Sequence, residues 1–200
     1  EKIVLKSQTS IATSPRITDV YRLYLKTESL AAGDTIFLTC LVTHLKAGST
    51  DADIAQKTTA ANKIMSFITS NKITGNILLM GDMNLYTSEE GAFVAFTTPT
   101  GTSQFRFYDP INMVGKWNNN SFYSSVHTQS TRTSSNGCFS TGGMDDRFDF
   151  ILSSIDILNN TRGLKKLSYK AVAQDGNMYN QSLLSPNNKS VPYEVLSALY

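Results

Sequence analysis

Two apolar strands separated by one long amphipathic helix constrain the fold more than any other feature of this chain. Ile36 to Thr43 is mostly apolar, as in a central strand that is covered on both faces. From Asp51 to Ser70 apolar residues recur every three and four positions, which predicts a helix with Thr50 or Asp51 as its N-cap. Ile77 to Met80 is a second buried strand. The three segments form a βαβ unit, so its two strands are predicted to be parallel.

Shorter patterns place further elements on both sides of this unit and make the chain mixed α/β. Strands are predicted where apolar and polar residues alternate or where a short apolar run occurs, and helices where the period changes to three and four. The predicted strands are Lys2–Leu5, Val20–Leu25, Phe105–Tyr108, Ser121–His127 and Phe148–Ser153, and the predicted short helices are Glu89–Phe96 and Glu194–Leu199.

Composition narrows the class of protein and of partner. A chain of 200 residues that is 40% hydrophobic suits a single globular domain over residues 1–200. Its 18 basic and 16 acidic residues give a net charge of +2, which does not favour bulk electrostatic capture of nucleic acid. A local site for a substrate with one or a few phosphates remains open. No run reaches the roughly 20 apolar residues of a transmembrane helix.

The two cysteines do not form a recognisable framework. Cys40 lies inside an apolar strand, where a buried and inert thiol is the usual case. Cys138 lies in a polar loop, and a disulfide with Cys40 is an alternative. Neither has a histidine or second thiol at the spacing of a zinc site.

Polar residues collect at the ends of the two strands of the βαβ unit. Thr43-His44 ends the first strand, and Gly81-Asp82-Met83-Asn84 ends the second. Because the carboxyl ends of parallel strands meet at one edge of a sheet, His44, Asp82 and Asn84 are predicted to lie side by side. An imidazole, a carboxylate and a carboxamide together suit an anionic substrate, with or without a metal. The alternatives are a strand-end histidine bonded to backbone and an ordinary Asp/Asn turn.

Asp149 is the third candidate, at the entry to the apolar strand Phe148–Ser153. A carboxylate buried there would cost several kcal/mol unless it were paired or hydrogen-bonded. If this strand runs antiparallel to the other two, its start lies at the same edge and Asp149 joins His44. The alternative is a structural salt bridge with Arg147.

Other polar and aromatic residues have both a functional and a structural interpretation. His127 either touches substrate or is a satisfied structural histidine. Asp145-Asp146 either binds a cation or forms a solvated turn. The candidates for stacking on nucleobases, with core or loop packing as the alternative, are Trp117, Phe122 and Tyr123.

Three motifs in this order resemble the endonuclease/exonuclease/phosphatase superfamily: Thr43-His44-Leu45, Gly81-Asp82-Met83-Asn84 and Arg147 to Leu152. Its members include deoxyribonuclease I, apurinic endonucleases, neutral sphingomyelinases and inositol-polyphosphate phosphatases. The residues around His127 to Arg132 and Asp175 to Asn177 look more like a bacterial, secreted branch of endonucleases. The resemblance implies a four-layer sandwich of two mixed β-sheets flanked by helices, and phosphoester hydrolysis that depends on Mg²⁺ or Mn²⁺.

The resemblance also implies a role for each candidate. Asp82 would orient and deprotonate the attacking water, and Asn84 would hold a phosphate oxygen and help to place Asp82. His44 would donate to the phosphate as charge builds in the transition state. Asp149 would orient a second histidine and fix its tautomer. A metal would neutralise the phosphate and stabilise the leaving oxygen.

Parts of the family pattern have no counterpart between Glu1 and Tyr200. They are a first strand with an asparagine, a metal-binding glutamate and a closing Ser-Asp-His strand. We therefore expect truncation at both ends, a main metal ligand outside this chain, and no activity from this piece alone. The parent is expected to be a secreted or cell-surface bacterial nuclease acting on DNA or RNA. A sphingomyelinase-like lipid phosphodiesterase and a non-catalytic binding domain are the alternatives.

Overall fold

The computed structural model describes residues 2–26, 28, 35–99, 103–129, 132–135, 137 and 141–199. Contacts divide the chain into two compact units, and each is described by itself. The expected single domain over residues 1–200 stays a prediction. Cys40 is a buried free thiol, as its position in an apolar strand predicts, and it is not part of a disulfide; Cys138 lies outside the described residues. The first unit comprises Glu1–Asn84, Glu90–Asn112 and Phe150–Leu167, and the second comprises Leu85–Glu89, Met113–Asp149 and Ser168–Tyr200.

One five-stranded mixed sheet, in the order β1-β2-β3-β4-β5, organises the first unit. β1 pairs antiparallel with β2, β2 antiparallel with β3, and β3 parallel with β4, which confirms the predicted βαβ unit. Just after β5, Ser154 donates its backbone N–H to Ile77 O near the start of β4, at 2.9 Å. The neighbouring strands β4 and β5 therefore run in opposite directions. The strands are β1 Lys2–Ile11, β2 Thr18–Lys26, β3 Phe37–Val42, β4 Asn76–Asp82 and β5 Asp149–Ser153.

The connection between β3 and β4 is helix α1, Asp51–Ser70, with the bounds that its periodicity predicts. Thr50 is the N-cap, and it forms a reciprocal capping box with Asp53: each residue's side chain accepts the other's backbone N–H. Helix α2, Gly91–Thr97, packs on α1, and the short α3, Ile155–Asn159, follows β5 without having been predicted. Among the described residues, no helix is both long and apolar enough to cross a bilayer.

Two predicted strands are wrong. Ser121–Val126 is a 3₁₀ helix, because the Asn120 side chain accepts the backbone N–H of Phe122 at 3.1 Å and starts a helical turn there. Phe105–Tyr108 contributes only an isolated bridge between Tyr108 and Ser153. In both places the alternation of residue types is too short to outweigh local side-chain hydrogen bonds and packing.

The second unit is mostly loops around small buried clusters. Trp117 is fully buried, and Ala173, Leu183 and Leu196 form a separate core cluster. Leu196 belongs to helix α4, Tyr193–Leu199, close to the predicted helical turn. Other described pairings here are isolated bridges such as Gln129 with Asp146. The mixed α/β class is confirmed, while the second sheet of the expected sandwich stays a prediction.

Candidate active site

The parallel pairing with β4 continues past the end of β3 and brings the first two motifs together. Thr43 donates its backbone N–H to Met80 O, and Leu45 donates to Asp82 O, each at 2.9 Å. His44 lies between these two donors and therefore beside Asp82. The structure thus has the adjacency that the βαβ topology predicts, whereas the chemical roles of these residues stay predictions.

Gly81 makes this close approach possible. Its φ is +131°, a conformation that side-chain-bearing residues rarely adopt. A Cβ at this position would lie 1.9 Å from the carbonyl oxygen of Thr43, the residue that precedes His44. Glycine is therefore required both by the backbone angle and by the space between the two strand ends.

His44 and Asp82 form an accessible pair. His44 Nε2 lies 3.5 Å from Asp82 Oδ2, with the two side chains 47% and 30% exposed. The other carboxylate oxygen, Oδ1, accepts the backbone N–H of Asn84 at 3.0 Å. One oxygen of Asp82 is therefore held by the main chain, and the other faces the imidazole in a position that solvent can reach.

Asn84 lies beneath this pair and is 5% exposed. Its φ is +48°, the left-handed region in which asparagine is one of the few tolerated residues. Its side chain donates from Nδ2 to Leu45 O at 3.3 Å, across to the segment that carries His44. Asn84 therefore links the two strand ends through both its main chain and its side chain.

Lys57 of α1 is a residue of this site that the sequence interpretation missed. It is fully buried, and its Nζ donates to Asn84 O at 2.7 Å and lies 2.5 Å from Glu90 Oε2. One signal was available in the sequence. Lys57 stands three residues after Ile54 and four before Ala61, on the apolar face of the predicted helix. A lysine at such a position needs a buried partner.

Arg16, in the turn between β1 and β2, is a second residue that was missed. Its Nη1 donates to Leu45 O at 3.1 Å, so the same carbonyl accepts from both Arg16 and Asn84. Arg16 is exposed and brings a permanent positive charge to the segment that follows His44. Nothing in the local sequence distinguishes it from an ordinary surface arginine.

Buried hydroxyls connect this turn to the end of β3. Thr13 Oγ1 donates to Arg16 O at 2.6 Å and lies 3.0 Å from Thr18 Oγ1. Thr18 Oγ1 lies 3.0 Å from Thr43 Oγ1 in turn. The three threonines are buried, so this chain of hydrogen bonds fixes the Arg16 turn relative to the residue before His44.

Asp149 differs from the expectation of a buried carboxylate. It is exposed at the start of β5, where buried and exposed residues alternate, so no desolvation cost arises. The strand start is held by Thr128, whose Oγ1 accepts the backbone N–H groups of Phe148 and Asp149 at 3.1 and 3.0 Å. Asp149 belongs to the second unit, and its place beside His44 stays a prediction. Arg147, its proposed alternative partner, is buried with its guanidinium 5.4 Å from the Trp117 ring.

The geometry of His127 favours the structural interpretation. It is fully buried, with Nδ1 3.2 Å from Met144 O and Nε2 3.0 Å from Trp117 O. Burial lowers the pKa of His127, although the two carbonyl acceptors oppose this shift. Both ring nitrogens therefore face backbone carbonyls of the second unit, and these contacts hold the imidazole inside the fold.

Asp146 and Trp117 are withdrawn from solvent, whereas Phe122 is exposed. Burial raises the pKa of Asp146 to about 6, although a hydrogen bond from Asn118 at 2.8 Å acts to lower it. This residue is therefore not in a solvated turn. Trp117 is buried with its Nε1 donating to Met113 O at 2.6 Å, as packing predicts. Phe122, by contrast, is 75% exposed.

The described residues at this edge do not fit a magnesium site. No group of three or more His, Cys, Asp or Glu side chains in the described part of the chain could hold a metal ion. Magnesium needs several oxygen ligands in octahedral geometry, whereas Asp82 supplies one carboxylate that already contacts His44 and Asn84. Dependence on Mg²⁺ or Mn²⁺ stays a prediction.

No protein-family profile and no curated protein sequence matches the chain. Solved structures are similar to it at low sequence identity. The human Nocturnin catalytic domain is 15% identical, with 78% of this chain and 49% of that chain covered and a TM-score of 0.46. Truncated Caenorhabditis elegans TDP2 is 17% identical, with 76% and 53% covered and a TM-score of 0.48.

An endonuclease/exonuclease/phosphatase from Bacteroides vulgatus is 14% identical, with 78% of this chain and 56% of that chain covered and a TM-score of 0.45. The chain thus spans about half the length of the solved structures that it matches. The Bacteroides vulgatus protein carries the name of the superfamily that the three sequence motifs resemble.

Proposed function

We propose that this chain carries part of the active site of a phosphodiesterase, with His44 and Asp82 as its reacting side chains. The observation that supports this most directly is the pair itself. His44 Nε2 and Asp82 Oδ2 lie 3.5 Å apart, both accessible, at the carboxyl end of two parallel strands. An exposed ion pair contributes little to stability, so stability alone does not account for these two ionisable groups facing solvent above the buried Asn84.

The chemistry follows from the hydrogen-bonding capacity of each group. Asp82 accepts the proton of the attacking water as the new oxygen–phosphorus bond forms. His44, when protonated, donates from Nε2 to an oxygen of the phosphoryl group, where negative charge grows. The bond from phosphorus to the leaving oxygen then breaks, and that oxygen takes a proton from solvent. Arg16 adds positive charge close to His44.

Asn84 and Asp149 have supporting roles in this proposal. Asn84 holds Asp82 through its backbone N–H. Its contact with a phosphate oxygen is proposed from the motif resemblance, since its buried side chain donates to Leu45 O. Asp149 is proposed to orient a second histidine outside this chain. Dependence on Mg²⁺ or Mn²⁺, with the main ligand also outside this chain, rests on the motif resemblance alone.

The favoured substrate is DNA or RNA, because the flanking residues Asp175 to Asn177 look like those of bacterial endonucleases. A lipid phosphodiester is the second candidate, and one observation favours it. Phe122 and Val114 are 75% and 55% exposed, next to a 3₁₀ helix whose Tyr123 donates its hydroxyl to Val114 O. Exposed apolar side chains of this kind suit contact with a membrane surface. A secreted or cell-surface location in a bacterium is part of the proposal.

Cleavage of supercoiled plasmid tests the proposal, with this chain and the longer protein assayed in parallel, each with Mg²⁺ and with chelator. We expect the longer protein to nick the plasmid only with metal and this chain alone to be inactive. His44→Ala and Asp82→Asn in the longer protein should each lower the rate by about 10²- to 10⁴-fold. Asp156→Asn in α3, which removes a partner of the exposed Arg162, is the matched control and should retain activity.

Each remaining outcome separates the alternatives. Full activity of both His44→Ala and Asp82→Asn would refute the site assignment. No nicking, together with hydrolysis of sphingomyelin vesicles that Phe122→Ala weakens, would favour the lipid substrate. Binding of plasmid or vesicles without hydrolysis by the longer protein would favour a non-catalytic binding domain.

A further inference from the structure

A buried ion pair lies directly beneath the proposed site. Lys57 and Glu90 side chains are 0% and 4% exposed, and Lys57 Nζ lies 2.5 Å from Glu90 Oε2. Removing two charges from water costs several kcal/mol for each ion, so such pairs contribute little to stability compared with apolar residues of similar volume. The surroundings of Lys57 on α1, including Ala60, Ala61 and Ile64, are apolar and would accept such a residue. Stability alone therefore does not account for a lysine here.

What Lys57 adds over an apolar residue is a donor to one backbone carbonyl. Its Nζ donates to Asn84 O at 2.7 Å. Asn84 lies beyond the end of β4 at Asp82, with a φ of +48°, and so is outside the regular hydrogen bonding of that strand. A buried carbonyl that lacks a donor costs about 1 to 3 kcal/mol. The ammonium of Lys57 therefore favours one orientation of the Asn84–Leu85 peptide group, which is joined through the Asn84 Cα to the peptide group whose N–H contacts Asp82.

The orientation of that residue determines the orientation of Asp82. The same Asn84 donates its backbone N–H to Asp82 Oδ1 at 3.0 Å and its side-chain Nδ2 to Leu45 O at 3.3 Å. With Oδ1 held in this way, Oδ2 faces His44 Nε2. A continuous series of contacts thus runs from Glu90 through Lys57 and Asn84 to the exposed carboxylate.

We propose that Lys57, held by Glu90, is a positioning residue for the Asp82–His44 pair and acts through Asn84. The predicted effect on kcat rests on the proposed function, whereas the predicted effect on the orientation of Asn84 does not. Because a misplacement of about 1 Å in a catalytic group costs as much as about 100-fold in rate, loss of the donor should lower kcat while KM changes little.

The test compares two double variants of the longer protein, in both of which the residues at positions 57 and 90 are uncharged. Lys57→Met/Glu90→Gln removes the pair and the donor, whereas Lys57→Gln/Glu90→Gln removes the pair and keeps an N–H donor on a side chain about one atom shorter. Ile64→Val, at another fully buried position on α1, is the control for loss of packing alone. Circular dichroism establishes that each variant is folded.

Two measurements are made on these variants: the backbone amide signal of Asn84 in ¹H–¹⁵N spectra, with its hydrogen-exchange rate, and kcat and KM for plasmid cleavage. We expect the methionine variant to shift the Asn84 signal, raise its exchange rate at least 10-fold and lower kcat by about 10- to 100-fold. The glutamine variant should recover part of both effects. Ile64→Val should leave the Asn84 signal in place.

Failure of this inference and failure of the proposed function give different results. An unchanged Asn84 signal in the methionine variant would overturn the positioning role, whatever the activity. Equal effects of the methionine and glutamine variants would also overturn it, because the donor would then be irrelevant. A shifted signal in a protein that cleaves nothing would support the positioning role and refute the proposed function. If the methionine variant does not fold, the spectrum of Glu90→Gln alone decides, since loss of the carboxylate should also move the Asn84 signal.

Discussion

Gly81 and Gly75 offer a controlled perturbation of the candidate site. Both have a positive φ, +131° for Gly81 and +91° for Gly75. Gly81 lies near the end of β4, and Gly75 directly precedes its first residue. They differ in the space around them. A Cβ on Gly81 would lie 1.9 Å from Thr43 O, whereas a Cβ on Gly75 would have no heavy atom within 4 Å. Alanine at Gly75 therefore introduces backbone strain alone, while alanine at Gly81 introduces the same kind of strain and a collision with β3.

The magnitudes can be worked out separately. Backbone strain at a positive φ costs about 1 to 3 kcal/mol, and this is the whole expected effect of Gly75→Ala. In Gly81→Ala the strand ends must move apart by about 1.5 Å to reach ordinary contact, which breaks one or both of the hydrogen bonds Thr43 N–Met80 O and Leu45 N–Asp82 O. At about 1 kcal/mol for each bond, plus the displaced packing, we expect a total loss of about 3 to 5 kcal/mol.

Urea denaturation of both variants, followed by circular dichroism, measures the difference in the free energy of unfolding. We expect Gly81→Ala to be less stable than Gly75→Ala by about 2 kcal/mol or more, which corresponds to a difference of about 4 to 8 °C in Tm. In the longer protein, Gly81→Ala should also lower hydrolysis, because His44 and Asp82 separate. Equal destabilisation by the two substitutions would refute the argument that β3 and β4 approach too closely for a side chain.

Three further predictions concern the second unit. The pKa of Asp146 is raised from 3.8 to about 6, so protonation favours the folded state and stability is lost as pH rises from 4 through 6. Asp146→Asn should therefore match the wild type at pH 4 and exceed it by about 2 kcal/mol above pH 7, after allowance for solvent screening. Urea titrations at both pH values check this, and a pH-independent difference would contradict it. Trp117→Phe should cost about 1 to 3 kcal/mol, because it leaves Met113 O without its indole donor at a fully buried site. Phe122→Ala, at a 75% exposed site, should change stability by less than about 0.5 kcal/mol, and a larger loss would show that this ring is packed in solution.

The elements that sequence predicts well are those whose periodicity is long. Helix α1 has the predicted bounds Asp51–Ser70, because apolar residues recur at helical spacing along the segment and Thr50 supplies the cap. The parallel pairing of β3 and β4 follows from the helix between them, since parallel strands require a crossover connection. The adjacency of His44 and Asp82 is a consequence of that topology and needs no further information.

Elements of five or six residues were predicted less reliably, for a physical reason. In Ser121–Val126 the aromatic and β-branched residues suit a strand, yet the side chain of Asn120 starts a 3₁₀ turn at the same place. Asp149 was expected to be a buried carboxylate because its strand is apolar. The alternation along β5 instead exposes it, and apolar neighbours in sequence do not determine which face of a strand meets solvent.

The residues that the sequence interpretation missed, Lys57 and Arg16, act through backbone carbonyls. Motif comparison identifies side chains that meet substrate, whereas a donor to Asn84 O or Leu45 O is defined only once the chain has folded. Both carbonyls belong to the segments that follow β4 and β3, which are the segments that carry the candidate site. Backbone groups that leave a ladder need new partners, and here buried or charged side chains supply them. The proposed positioning role of Lys57 follows from this need, and substitutions at Lys57 should alter the site while leaving every motif intact.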